Sequence, residues 1–458
     1  MSTPVKIHFL GASGTVTGSK FLLETPELTI MVDCGLFQGL KELRQLNWQP
    51  FPYEAGKIDI ILLTHGHLDH VGYLPRLVKE GFQGKIMGTL PTLAITRIIL
   101  ADSAKIQEEE AERANEEGYS KHDPALPLYT QEDVEETLAF MQPEPKSTWI
   151  YLSENVKCRF RYNGHILGAT FIELDIYGKR FVFSGDIGRI KDPLLFPPER
   201  PEKADFLFIE STYGDRLHPE EDLDTILTEL VMDAIYKRGN LIIPSFAVER
   251  AQRLIYTFWK LYEKNRIPNI PVIIDSPMGM EVLDVFRAYM NWHQLSDNEC
   301  RAMMNRMTLV TSYRETWEII DNPQPKVIIA GSGMITGGRV LTYLKQLIDE
   351  ESTTVLLAGF QAEGTRGRKL QEGAETLRFF GKDYPVNARI VQVHSLSAHA
   401  DKDELLWWLS AIKNRPEVIY TVHGEHSGAE ALLEAVGEKF NWSGEVPTLF
   451  DVQTVICE

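Results

Sequence analysis

Thr64-His65-Gly66-His67-Leu68-Asp69-His70 places three imidazoles and one carboxylate within six positions. Neutral imidazole and carboxylate are ligands for Zn²⁺ and similar divalent ions, and this density of donors can hold more than one ion. The cluster follows the apolar run Ile58-Asp59-Ile60-Ile61-Leu62-Leu63 and precedes a segment, Val71 to Glu80, whose apolar residues recur at helical spacing. Side chains on such a strand-to-helix turn can converge on one centre, which the alternating faces of a regular strand would not allow. A polar loop of solvated histidines is the plainer reading, and the density after a buried strand argues against it. Two further candidates, His165 in Tyr162-Asn163-Gly164-His165-Ile166-Leu167-Gly168-Ala169 and Asp186 in Ser184-Gly185-Asp186-Ile187-Gly188, sit among small residues that let the backbone approach closely. His399 and His423 follow the strand-like runs 390–393 and 418–422. Asp33, ending the run Thr29-Ile30-Met31-Val32, either orients a ligand or caps a turn. His8 alternates with apolar neighbours and reads as structural.

The elements that must position these residues have two textures. The first part opens with strand-like runs at 5–10, 21–25 and 29–32, and Pro91 to Ala114 reads as one long helix. From about Ala204 the pattern becomes strand, loop and helix in alternation: 206–209 ends in Glu210, 240–244 in Ser245, 271–274 in Asp275, 326–329 in Ala330-Gly331-Ser332-Gly333, and 354–357 in a loop leading to Arg366 and Arg368. Apolar strands unbroken by polar residues indicate a parallel sheet covered by helices, with ligands gathering at the carboxyl ends of its strands. The turn at Gly331-Ser332-Gly333 lacks a third glycine at Thr336 and no Gly-Lys-Ser/Thr follows, so it is no dinucleotide or Walker loop; its backbone N–H groups could still hold one phosphate. The last portion resumes strand ends bearing histidine, so the domains interleave.

At 458 residues the chain is expected to form about two to four domains. Its 43% hydrophobic and 24% charged residues are those of a globular protein, and no apolar window approaches a membrane span. The N-terminus lacks the apolar core of a signal peptide, and the expectation is a cytoplasmic protein with no membrane contact. Cys34, Cys158, Cys300 and Cys457 are too scattered for a disulfide framework or a cysteine zinc site. The net charge of −18 argues against a surface coated with cations for a polyanion, yet half of it lies between Ile106 and Thr137, where eleven acids face Arg113 and Lys121. A local basic site elsewhere remains open.

Taken together, the histidine cluster, Asp33, His165, Asp186, Glu210 in Glu-Ser-Thr-Tyr-Gly, His399 in Ser-Ala-His-Ala-Asp and His423 in His-Gly-Glu resemble the metallo-β-lactamase fold and its β-CASP nuclease family. The resemblance covers nearly the whole chain and fills every metal position. It implies an α/β protein: an αββα sandwich interrupted by an inserted α/β domain of mainly parallel strands, with the sandwich at 1–204 and 384–458 and the β-CASP domain at 205–383. It also implies two Zn²⁺, with Mn²⁺ as the alternative ion, one on His65, His67, His165 and Asp186 and one on Asp69, His70, Asp186 and His423. Asp69 and Asp33 would belong to the same catalytic centre. His399 would act as general acid and Glu210 would orient it. Ser332, Ser397, Arg366 and Arg368 are weaker candidates for backbone phosphates, with a surface role open for each arginine.

The expected activity is a zinc-dependent ribonuclease on single-stranded RNA, cutting internally, from the 5′ end, or both, with room for a homodimer. A hydrolase of a small ester or thioester, a DNA-directed nuclease of the same fold and a non-enzymatic RNA-binding scaffold are the rival expectations.

Overall fold

The computed structural model describes residues 3–118 and 120–457. Among them β1 (Thr3–Phe9), β2 (Phe21–Glu24) and β3 (Thr29–Val32) form an antiparallel meander, which β4 (Ile60–Leu62), β5 (Lys85–Thr89) and β6 (Met141–Glu144) extend in parallel. A second sheet starts with β7 (Ile150–Tyr151), β8 (Val156–Tyr162), β9 (Thr170–Ile176) and β10 (Lys179–Phe183), all antiparallel, and turns parallel at β11 (Phe206–Glu210). The chain then departs through β12 (Asn240–Pro244), β13 (Val272–Asp275), β14 (Thr308–Val310), β15 (Lys326–Ala330), β16 (Thr354–Ala358), β17 (Thr376–Phe379), β18 (Lys382–Pro385) and β19 (Arg389–Val393). It returns with β20 (Val418–Val422) beside β11, β21 (Gly444–Glu445) beside β20, and β22 (Val452–Cys457) beside β1.

The two seven-stranded sheets face each other across an apolar layer. Alternation decides which side chains enter it: Val156, Cys158 and Phe160 of β8 point in, while Lys157, Arg159 and Arg161 point out. Aromatic rings fill the middle, with Phe183 and Phe208 stacked at 4.1 Å and Phe9 5.1 Å from Tyr420. Each such ring contributes about 1.5–3 kcal/mol by leaving water. Helices cover the outer faces, 74–79, 90–117 and 131–138 on the first sheet, 402–409 and 426–440 on the second. The acidic segment is divided between the end of the helix Leu90–Glu117, a loop and the helix Gln131–Leu138; the first helix is started by the Thr89 side chain accepting from Thr92 N and stopped at Gly118, whose φ is +65°. The four cysteines are buried free thiols.

Residues 218–397 form a second compact unit. Its six-stranded sheet runs β14-β13-β15-β12-β16-β19 with every pair parallel, and β17 and β18 form a separate antiparallel pair. Its edges differ from the expected 205 and 383. β11 belongs to the sandwich because it pairs with β10 and β20, and β19 belongs to the insertion because it completes the sheet beside β16. Among the described residues no helix is long and apolar enough to cross a membrane.

Candidate metal centre

The candidate ligands leave the carboxyl ends of sandwich strands or the loops beside them. β3 and β4 are parallel, as are β10, β11 and β20, so Asp33, the histidine cluster, Asp186, Glu210 and His423 emerge at matching ends. The segment after β3 is laced to the turn of the cluster, Cys34 N donating to His70 O at 2.7 Å and Leu36 N to Leu68 O at 3.1 Å, and Ser19 N, just before β2, donates to Asp69 O at 2.8 Å. Gly35 makes this closeness possible, since a Cβ there would stand 1.5 Å from the Asp69 carbonyl oxygen. Asp33 and His423 both adopt left-handed backbone, with φ of +59° and +48°, which L residues rarely adopt unless their surroundings hold them there.

Two groups of donors result. His65 Nε2 lies 3.1 Å from His67 Nδ1 and 3.4 Å from Asp186 Oδ2, and His165 Nε2 lies 3.2 Å from His67 Nδ1 and 3.4 Å from the same oxygen. Donors of a tetrahedral zinc site with bonds of about 2.0–2.1 Å stand about 3.3 Å apart, so these four atoms fit one ion. In the second group His70 Nε2 is 3.1 Å from His423 Nε2, and Asp69 Oδ2 is 3.4 Å from His423 Nε2 and 3.9 Å from His70 Nε2. Asp186 Oδ1 lies 3.3 Å from His70 Nε2 and 3.4 Å from His423 Nδ1, yet it is buried with no hydrogen bond among the described residues. A buried carboxylate oxygen left this way costs free energy that a cation would offset. The donor set thus fits divalent-ion binding, with Asp186 turned to both groups.

Behind the donors stands a ring of supports. Asp33 Oδ2 sits 2.7 Å from His70 Nδ1, and its Oδ1 accepts from Thr64 N at 2.8 Å. Of the two readings open for Asp33, this contact with the outer nitrogen of His70 is the geometry of a residue that orients a ligand. The Thr64 hydroxyl bridges the Asp33 carboxylate at 2.8 Å and His65 Nδ1 at 3.1 Å, and Thr212 Oγ1 lies 3.2 Å from His423 Nδ1. Sequence reading missed both threonines. The only signal was adjacency, Thr64 preceding His65 and Thr212 lying two residues after Glu210.

His399 differs from the other histidines. Its Nδ1 is 3.0 Å from Glu210 Oε2 and its Nε2 faces Asp186 Oδ2 at 3.9 Å, and it belongs to none of the donor clusters among the described residues. Glu210 is fully buried and accepts from Ile187 N at 2.5 Å. Burial works against charge on His399, but the Glu210 and Asp186 carboxylates outweigh it and push its pKa up to about 9. Burial, reinforced by neighbouring imidazoles, lowers His65 and His165 well below the usual histidine value, and burial lowers His67 to about 4. His70 is raised, since Asp186, Asp33 and Asp69 overcome its burial. Asp186 is held well below the usual carboxylate range, because the imidazoles of His423, His70 and His65 overcome its burial. Neutral His65, His67 and His165 with an ionised Asp186 are the protonation states a divalent ion requires.

The remaining candidates belong to the inserted unit. Ser332 Oγ closes its own loop, accepting from Thr336 N at 2.9 Å and Gly337 N at 3.2 Å. Arg366 donates through Nε to Arg378 O at 2.8 Å, and Arg368 through Nε to Glu372 at 2.8 Å. Ser397 is fully buried, and its hydroxyl has no hydrogen-bond partner among the described residues.

Family comparison matches residues 14–225 to the metallo-beta-lactamase superfamily, 251–370 to the Beta-Casp domain, and 383–447 to a Zn-dependent metallo-hydrolase RNA specificity domain. The chain is 32% identical over 453 residues to a ribonuclease of Thermus thermophilus, covering 97% of this chain and 98% of that one. It is 29% identical over 470 residues to a transcription termination factor of Methanocaldococcus jannaschii, covering 98% and 71% respectively. An RNase J-like protein of the same organism is 28% identical over 426 residues, covering 92% and 93%. A crystal structure of a protein of unknown function from Enterococcus faecalis V583 superposes with a TM-score of 0.56 at 14% identity, over 99% of this chain and 100% of that one, a likeness of fold alone.

Proposed function

This chain belongs to the β-CASP family of metallo-β-lactamase-fold hydrolases, and from that premise we propose that it is a zinc-dependent ribonuclease hydrolysing phosphodiester bonds of single-stranded RNA in the cytoplasm. Relatives named as a ribonuclease and an RNase J-like protein support the substrate, and the matched Zn-dependent metallo-hydrolase family supports the metal. One observation carries the reading beyond a generic metallohydrolase: the Glu210–His399 pair stands beside two donor groups, each approached by one oxygen of Asp186.

In this reading His65, His67, His165 and Asp186 would hold one ion, and Asp69, His70, Asp186 and His423 would hold the other. Such ions would supply a water of lowered pKa and positive charge against the phosphate. Asp33 and Thr64 keep the inner nitrogens of His70 and His65 aimed by engaging the outer ones. His399 carries its proton on Nε2, because Nδ1 is turned to Glu210. As water adds to phosphorus and the bond to the 3′ oxygen breaks, that proton passes to the leaving oxygen. The buried Glu210 carboxylate keeps the ring protonated beforehand and fixes its plane.

The test is a product map on end-labelled RNAs with the zinc-loaded protein. Cleavage of single-stranded RNA to 5′-phosphate and 3′-hydroxyl ends is expected, and the ladder of products separates internal from 5′-end cutting. Turnover of an ester or thioester without RNA cleavage, or equal cleavage of single-stranded DNA, would overturn the reading.

A further inference from the structure

The outward face of the second sheet divides into two halves. Phe171, Val182, Leu207 and Ile419 are sealed under the helices Lys402–Leu409 and His426–Phe440. Toward the β7 edge the same face carries Lys157, Arg159 and Arg161, every second residue of β8, at intervals of about 6.6 Å. Strand register sets Tyr151, Lys157, Asp175 and Arg180 in one row across β7 to β10, and Arg159 beside Glu173 in the next.

Glu173 organises this half. Only 1% of its side chain is exposed; it accepts from Arg159 Nε at 2.6 Å and Arg180 Nη1 at 3.3 Å, and Arg161 Nη1 stands in ion-pair range at 3.6 Å. Arg180 also pairs with Asp175 at 3.1 Å, and Arg161 with Glu199. The Trp149 ring centre lies 4.5 Å from both the Arg159 and the Arg180 guanidinium carbons. Lys157 is held by rings, its Nζ 5.2 Å from the centre of Trp149 and 5.9 Å from that of Tyr151, and Tyr151 is 72% exposed.

Four cations therefore meet three carboxylates, 4 − 3 = +1, with Glu173 sealed beneath them, on a chain whose total charge is −18. The guanidiniums are clamped, so a polyanion would find them already oriented. The β8 row also has a direction, running from Lys157 toward Tyr162 and the loop that bears His165. A strip of cations spaced for successive phosphates, with an exposed ring at its far end, is the pattern that binds a single strand by its backbone and one stacked base.

We propose that this face is an accessory docking surface for single-stranded RNA, which takes phosphates along β8 and stacks one base on Tyr151. It rests on the reading of the protein as a ribonuclease and extends it to a track outside the metal centre. No residue of the track takes part in the chemistry, so its loss should be felt in binding alone.

The test uses the full chain with Tyr151→Ala and Lys157→Glu combined, and a labelled oligouridylate read by fluorescence anisotropy. Affinity should fall about fivefold or more, the lower end for one lost stacked base. The dependence of log affinity on log salt should become shallower by about 0.7 for each phosphate contact removed. KM for long RNA should rise with kcat unchanged, hydrolysis of bis(4-nitrophenyl) phosphate should stay at the wild-type rate, and Tyr151→Phe should bind as the wild type does. Unchanged oligouridylate affinity in the double variant would overturn the proposal. So would a loss of affinity for polyglutamate with RNA binding intact, which would make the face a protein contact. Because anisotropy needs no cleavage, a wild type that binds RNA without cutting it would sink the enzymatic reading while the docking surface is still judged by the variant.

Discussion

Asp186 offers Oδ2 to one donor group and Oδ1 to the other. Asp186→Asn should therefore lower both metal occupancies, while His423→Ala should lower mainly one; elemental analysis of purified variants separates the two cases. His399 should behave as neither. His399→Ala is expected to keep its metal and its RNA affinity yet lose on the order of 10²–10⁴ in cleavage rate, the usual worth of a positioned acid. On an RNA whose leaving 3′ oxygen is replaced by sulfur, which departs as thiolate without a proton, the variant should approach wild type. An equal defect on both substrates would make His399 a positioning residue. Without metal, protonation should tie the fold to pH from both sides. His399, raised from 6.5 to about 9, stabilises the fold fully below 6.5 and loses that contribution as pH climbs through 9. His67, lowered from 6.5 to about 4, stays neutral in the fold while the unfolded chain takes a proton, so stability falls as pH drops from 6.5 toward 4. Thermal melting of chelated protein should peak near pH 6.5, and a midpoint still climbing through pH 9 would contradict this. The cluster at 64–70, His165 and Asp186 stand out in sequence by residue type and setting, whereas the grouping of ligands and the pairing of Glu210 with His399 came from the family resemblance. Thr64 and Thr212 do not stand out, because a hydroxyl that aims a histidine looks like any turn threonine until the fold brings it there.

At the level of elements, the loop after β3 and the turn after β4 act as one piece, joined at Gly35. Gly35→Ala would drive a methyl into the Asp69 carbonyl, and the two segments must part, at a cost of roughly 1–3 kcal/mol. Zinc titration should show the group of Asp69, His70 and His423 weakened more than that of His65, His67 and His165, alongside a lower melting point. Strands were read well from sequence, since β12, β13, β15 and β16 are short apolar runs bounded by turn residues and the helix Leu90–Glu117 has its own start and stop. Their allocation to sheets was not. Phe206-Leu207-Phe208-Ile209 has the same unbroken apolar texture as the inserted strands, and only pairing with β10 and β20 shows that it belongs to the sandwich. The cationic β8 face was overlooked for a related reason: Lys157, Arg159 and Arg161 read as ordinary solvent-facing alternation until register sets them beside Glu173 and Arg180.

For the whole molecule, a net charge of −18 means that RNA is held locally against a repulsive background. Affinity should fall with salt along a shallow line, at roughly −0.7 per phosphate contact, and a slope calling for many contacts would contradict a local site. The interleaved chain order also has a consequence in time. β11 is synthesised long before its neighbour β20, and at about 5–20 residues per second the stretch from Glu210 to Val418 takes about 10–40 s to emerge from the ribosome. Through that interval one edge of the second sheet stays open, β1 waits for β22, and His399 and His423 do not yet exist. Until that stretch has been made, a nascent chain lacks both histidines, and with them one candidate metal donor and the partner of Glu210.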